Sequence, residues 1–266
     1  MMLAEMDSIG QKHEINYTDI MWRFSKWFSD SMYTGTGEVF DIGISTNRAI
    51  SNYLTGTPAL ECGGQLVSEN GNGSLMRILP FVMYSYVNGL SEEDEVELLN
   101  NASSLTHAHE ISKLGCKIYS DYIKAIFDNK TKEEALEHVS NIDYSKYYSL
   151  DSIEEYERIL DGSIVNLDED EIKSSGYVVS SLEASIWSFH NSSSYEEAVL
   201  KAINLGDDTD TVGAITGSLA GAFYGNVPDK WLSRIKNKEL ADEIYESFQE
   251  ALKKKNRVEE ESFAKR

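Results

Sequence analysis

The sequence predicts an all-α domain, and three observations carry that expectation. No stretch shows the clean two-residue alternation of apolar and polar side chains that marks a half-buried strand. Apolar side chains instead recur at helical spacing, as in Ile20, Phe24, Trp27 and Phe28, or Val178, Val179, Leu182, Ile186, Trp187 and Phe189. Helix-starting residues stand ahead of such stretches: Ser91 before Asp94, Thr131 before Glu133 and Glu134, Ser194 before Glu196 and Glu197. With 266 residues, 41% of them hydrophobic, the chain is long enough for one sizeable core or two small ones. No internal repeat is visible. A single compact helical domain over residues 1–252, followed by a charged tail at 253–266 that frays, is the expected layout.

Bulk charge narrows the function. The formal net charge of −21 argues against nucleic-acid binding, which needs clustered Lys and Arg. The two cysteines, Cys62 and Cys116, form no disulfide framework and no CxxC, which fits a reducing, cytoplasmic setting. No signal peptide or bilayer-length apolar run is seen, so no membrane partner is expected, and a monomer is the expected state.

In chain order, MMLAEMDSI (Met1 to Ile9) reads as the continuation of a helix. Asn16 to Met32 is the next, with Thr18 a candidate cap, and Gly35 and Gly37 break it. Asp41 to Leu54 follows the FDIG turn as a short helix capped by Thr46 or Asn47, with a structural role throughout. Cys62 sits in the following loop without chemistry.

Glu69 to Pro80, ENGNGSLMRILP, is a functional candidate. Gly71, Asn72, Gly73 and Ser74 form a flexible polar turn whose backbone can approach a ligand closely. Arg77 can contact an anion or pair with a buried acid, and the second reading is preferred. Further on, His107 and His109 are two apart and do not share a helix face, which argues against a two-histidine metal centre. His107 can donate to a phosphate or ribose, His109 is read as surface and Cys116 as core. Residues 139–175 are the least legible, and their acids read as a solvated face or mobile connection. Gly176 to His190 is a buried helix with one lone acid, Glu183.

The most informative stretch is Asn204 to Gly225, NLGDDTDTVGAITGSLAGAFYG. Gly213, Gly217, Gly221 and Gly225 recur every fourth position, and the first three share one side of a helix. Glycine is costly inside a helix, so the stripe implies close approach of a second helix. Gly225 is a natural stop. Asp207, Asp208 and Asp210 crowd its first turn and repel one another unless something positive intervenes. Asp208, Asp210 and the Thr211 hydroxyl suit a hard divalent cation such as Mg²⁺. Helix capping is the plainer alternative, and the metal-site reading is preferred because of the glycine-striped helix behind it.

Several of these segments together resemble the ADP-ribosylglycohydrolase family: Gly206 to Thr211 with the helix after it, Gly71 to Ser74 with Met76, Arg77 and Pro80, Thr106-His107, and Gly176 to Trp187. The resemblance covers roughly residues 1 to 235. It implies a compact all-α fold with an ADP-ribose cleft and a dinuclear Mg²⁺ centre. It also implies hydrolysis of ADP-ribose from modified protein side chains, or of a related ADP-ribosyl bond in a small molecule. On this likeness Asp208, Asp210 and Thr211 are metal ligands, the two aspartates are catalytic through the ion, Gly71 to Ser74 lie beside ribose and diphosphate, and His107 meets the phosphate side.

One departure bears on activity. The family pattern opens with a GDALG-like segment and a Thr-Asp-Asp-Thr turn, which supply the other metal ligands, and neither motif occurs in this sequence. The expectation is an N-terminally incomplete pattern, with hydrolysis at least about a hundredfold slower than in a version carrying that segment. The alternative function is an impaired or inactive ADP-ribose-binding or scaffold protein of the same fold.

Overall fold

Helix starts lie where side chains or glycine can leave the helical path, as seen in the computed structural model of the protein, which describes residues 1–263. The first half contains α1 (Met2–Lys12), α2 (Tyr17–Asp30), α3 (Ile44–Leu54), α4 (Leu79–Asn88), α5 (Glu92–Ser104), α6 (Glu110–Phe127) and α7 (Lys132–Ser140). The second contains α8 (Leu150–Glu154), α9 (Glu157–Leu160), α10 (Val178–His190), α11 (Tyr195–Asn204), α12 (Thr209–Tyr224), α13 (Asp229–Leu232) and α14 (Lys238–Phe263). Among the described residues there is no strand, only two isolated bridges, Gly64 with His107 and Gly71 with Tyr177. The expected all-α class is what the chain adopts.

Ser91, Thr131 and Ser194 accept from the third N–H of α5, α7 and α11, as their positions implied. Two expected caps are corrected. Asn16, not Thr18, caps α2, because Asn16 is extended and accepts from Asp19 N–H while Thr18 already lies inside the first turn. Gly43 starts α3 with no side-chain cap, and Thr46 and Asn47 fall within the helix.

The core is one continuous apolar cluster centred on α6 and α10. Every residue of α10 from Val178 to Phe189 is buried. A helix buried all round needs small polar residues that satisfy themselves. Ser181 donates to Ser175 O and Ser185 to Ser181 O. Helix α11 lies along the glycine stripe of α12. A Cβ built on Gly213 would stand 2.9 Å from Ile203 Cγ2, and one on Gly217 3.2 Å from Tyr195 Oη. Gly225 ends α12 in the left-handed conformation with φ 67°.

In the 139–175 segment the acids Asp151, Glu154, Glu155, Glu157, Asp161 and Asp168 to Glu171 are exposed, the solvated face expected of them, while the large side chains between them pack inward. Tyr144, Tyr148, Tyr156, Ile159 and Ile164 are buried, and the hydroxyls of Tyr144 and Tyr156 donate to Asp121 Oδ2 at 2.9 Å and Ile111 O at 2.8 Å. Large rings with a polar tip drive this burial. The tail expected to fray beyond Leu252 overlaps α14, whose backbone runs to Phe263, and residues 264–266 lie outside the described range. No helix is long and apolar enough to cross a membrane, among the described residues.

Candidate active site

A cleft of about 770 Å³ opens where the starts of several helices meet. Its wall is drawn from the α3 start (Asp41 to Thr46), the 68–76 loop, His107, Ser175 and Gly176 before α10, and the first turn of α12. Aligned N–H groups at helix starts favour negative charge on a ligand.

The acidic turn is held in place by its neighbours. Asp207 has φ 50° and Gly206 φ 89°, so the chain turns sharply before α12. The Asp208 N–H donates to Ser174 O at 3.1 Å. Asp208 is the helix N-cap by position, yet its side chain makes no capping bond. Its Oδ2 instead accepts from Asn72 Nδ2 at 2.7 Å, and the same amide donates to Ser181 Oγ at 2.8 Å. Capping therefore does not explain this carboxylate. Asp207 and Asp210 are exposed on the cleft, and Thr211 is buried beside them.

The 70–74 turn is not the flexible loop its composition suggested. Asn70, Asn72 and Ser74 are buried. Asn70 O accepts from Val178 N–H at 3.0 Å, and Asn72 N–H donates to Gly176 O at 3.0 Å. Asn70 Oδ1 accepts from Ser112 N–H and Oγ–H, and its amide donates to Val67 O. The glycines of this turn make room for a ring. A Cβ on Gly73 would stand 2.7 Å from His107 Cε1 and 3.1 Å from Thr46 Oγ1, and one on Gly71 3.2 Å from His107 Nε2.

The structure thus brings Gly71, Asn72, Gly73, His107, Asp208, Asp210 and Thr211 to one cleft. Ser74 is the exception: it is fully buried, its hydroxyl lies 3.0 Å from Ser103 Oγ, and it does not line the cleft. The reason is that a 3₁₀ turn begins at Leu75 and carries residue 74 beneath the surface. Arg77 takes the second of its two readings, paired with buried Glu5 below the cleft. His109 is not a plain surface residue; it starts α6 by accepting from Ile111 N–H and meets Asn70 Nδ2 at 3.0 Å. His107 is 3% exposed, and burial, then the Arg77 charge, pushes its pKa down to about 3.

Sequence reasoning missed the α3 side. Asp41, Gly43 and Thr46 lie in a stretch whose pattern reads as structural, yet all three line the cleft. Asp41 sits at φ 49°, and no local pattern announces that its turn folds against residues 207–211. Ser175 and Gly176 were likewise missed as wall residues.

The donor set can be weighed against a metal ion. Four cleft carboxylates, from Asp41, Asp207, Asp208 and Asp210, face no Lys or Arg among the cleft-lining residues. An anionic ligand in such a cleft needs a countercharge. The all-oxygen set fits a hard divalent cation, which commonly takes one or two carboxylates and keeps several waters. Among the described residues, no group of three or more His, Cys, Asp or Glu side chains converges as a metal centre. The fit therefore rests on Asp208, Asp210 and the Thr211 hydroxyl.

Comparisons with known proteins give the family and the fold. The family model described as ADP-ribosylglycohydrolase matches residues 1–258. ADP-ribosylarginine hydrolase Tri1 of Serratia proteamaculans (strain 568) is 28% identical over 254 residues, covering 93% of this chain and 65% of that protein. Its counterpart in Pseudomonas putida (strain GB-1) is 29% identical, covering 88% of this chain and 60% of that protein. The chain thus spans less than two thirds of the length of both arginine hydrolases. The ADP-ribosyl-[dinitrogen reductase] glycohydrolase of Rhodospirillum rubrum is 24% identical over 241 residues, covering 88% of this chain and 71% of that protein. A solved structure described as an ADP-ribosylglycohydrolase-related protein complex superposes with a TM-score of 0.73 at 25% identity, over 94% of this chain and 77% of that one. On fold and family match together, the chain belongs to the ADP-ribosylglycohydrolase family.

Proposed function

We propose that this protein is a Mg²⁺-dependent hydrolase that removes ADP-ribose from modified protein side chains, with arginine as the first linkage to test. The observation that carries the reading is the meeting of the Asp207 to Thr211 turn, the Gly71 to Gly73 loop and His107 in one cleft. The arginine linkage is suggested by the names of the two arginine hydrolases it resembles. The buried, unpaired Cys62 and Cys116 support a reducing, cytoplasmic setting.

Within this reading the chain's own residues do four things. Asp208, Asp210 and Thr211 would hold the cation. That cation, when bound, supplies the charge that orients ribose hydroxyls and a water near the anomeric carbon. Asn72 lines the cleft beside the ligand position and, through its amide, also fixes the direction of the Asp208 carboxylate. Gly71 and Gly73 let ligand and His107 approach a bare backbone. The helix starts around the cleft favour the diphosphate.

A second reading, ADP-ribose binding without turnover, is favoured by one observation: no set of three or more acidic, His or Cys ligands converges among the described residues. One experiment separates the two. ADP-ribose release from an arginine-ADP-ribosylated protein is measured with and without Mg²⁺, for the chain and for Asp210→Asn. Mg²⁺-dependent release that Asp210→Asn lowers by at least about a hundredfold is expected. Binding of ADP-ribose with no release under any condition would leave the second reading, and neither would sink both.

A further inference from the structure

We propose that Thr106, itself held by Arg77, locks the His107 ring in the tautomer protonated on Nε2, so that the ring presents one fixed, uncharged donor to an oxygen of the ligand. The ligand half of this statement rests on the ADP-ribose reading above; the tautomer half does not.

The arrangement begins at the buried Arg77 guanidinium, which donates to Glu5 through Nη1. Its Nη2 donates to Ala102 O at 2.9 Å and to Thr106 Oγ1 at 2.8 Å. An arginine only donates, so Thr106 Oγ1 accepts here. The same oxygen stands 2.9 Å from His107 Nδ1. Two assignments are possible. If Nδ1–H donated to Thr106, the hydroxyl would accept twice. Its own hydrogen would then have no acceptor among the described residues, although Thr106 is fully buried. Leaving a buried donor unmade is costly. If the hydroxyl donates to Nδ1, the Thr106 oxygen, its hydrogen and Nδ1 are all satisfied. The second assignment holds, and the ring proton sits on Nε2.

Nε2 is on the ligand side. The ring edge carrying Nε2 and Cε1 lies against Gly71 and Gly73, and His107 lines the cleft. No described side chain or backbone group bonds to Nε2, so its hydrogen is free for a phosphate or ribose oxygen. The backbone adds stiffness: His107 N–H donates to Ser103 O at 2.8 Å, and Ser103 Oγ donates to His107 O at 2.7 Å. Thr106 acts through His107 and is a positioning residue.

Long-range ¹H–¹⁵N NMR on the protein labelled with ¹⁵N-histidine tests the lock, with His107 assigned by its loss in His107→Gln. A pyridine-type Nδ1 and a pyrrole-type Nε2 in the free protein are expected. A proton on Nδ1, or averaging between the two forms, overturns the lock. Calorimetry with ADP-ribose tests the consequence. Thr106→Val, which keeps the shape and loses the hydroxyl, should mix the tautomers and weaken binding by about tenfold, whereas Thr106→Ser should preserve both. His107→Gln, which can place an amide N–H near Nε2, should bind better than His107→Asn. Mixed tautomers with unchanged affinity would overturn the ligand role. A clean Nε2–H signal in a protein that binds no ADP-ribose would uphold the lock and sink the ADP-ribose reading instead.

Discussion

His107 gives a pH dependence of stability that can be worked from its surroundings. Burial, with the Arg77 charge second, lowers its pKa from 6.5 to about 3. The folded protein therefore holds one proton fewer at this site than the unfolded chain between those two values. Stability from the neutral ring is fully present above 6.5 and is lost as the pH falls towards 3. Each unit is worth about 1.4 kcal/mol, so the whole shift amounts to about 5 kcal/mol and the part lost by pH 5 to about 2 kcal/mol. The perturbation is His107→Gln, which removes the titration. Urea unfolding of both proteins at about pH 7.5 and about pH 5 isolates the term, because every other group is common to both. The advantage of the wild type over the variant should shrink by about 2 kcal/mol on going to the lower pH. A change under about 0.5 kcal/mol would refute the reasoning, as would a His107 ring that titrates near its ordinary value by NMR.

Two further outcomes test the packing around the site. Gly217→Val forces side-chain atoms into the Tyr195 hydroxyl, 3.2 Å from where a Cβ would stand; a loss of about 1–3 kcal/mol by thermal unfolding is expected, and an unchanged melting temperature would show that α11 and α12 can part without cost. Lys132 donates to the carbonyls of Phe189, at 2.8 Å, His190, at 3.3 Å, and Ser192, while its ammonium lies 4.8 Å from the Phe189 ring and 5.2 Å from that of Tyr224. Lys132→Met strips the cation from the C-terminal end of α10, and a fall in melting temperature of about 5–10 °C is expected, with activity per folded molecule retained; no fall would mean that solvent satisfies those carbonyls.

Features that depend on neighbours along the chain are legible in the residues alone. The caps at Ser91, Thr131 and Ser194, the buried faces of α6 and α10, and the glycine stripe with its stop at Gly225 all follow from spacing within one helix. The candidate turn at Asp207 to Thr211 was legible for the same reason, since its residues are consecutive and unusual. Which distant segments share a wall depends on the folded chain. Asp208 and Asn72 are 136 residues apart and meet at 2.7 Å, and Ser74, next to two cleft glycines, is turned into the core. Asp41 and Thr46 join the cleft although nothing in their own stretch distinguishes them from an ordinary helix start. The tyrosines of 139–175 bury themselves because the groove that receives them is made by other helices. Local periodicity encodes which face of a segment avoids water; the partner for that face, and the ring nitrogen that carries a proton, depend on atoms the chain brings together only on folding.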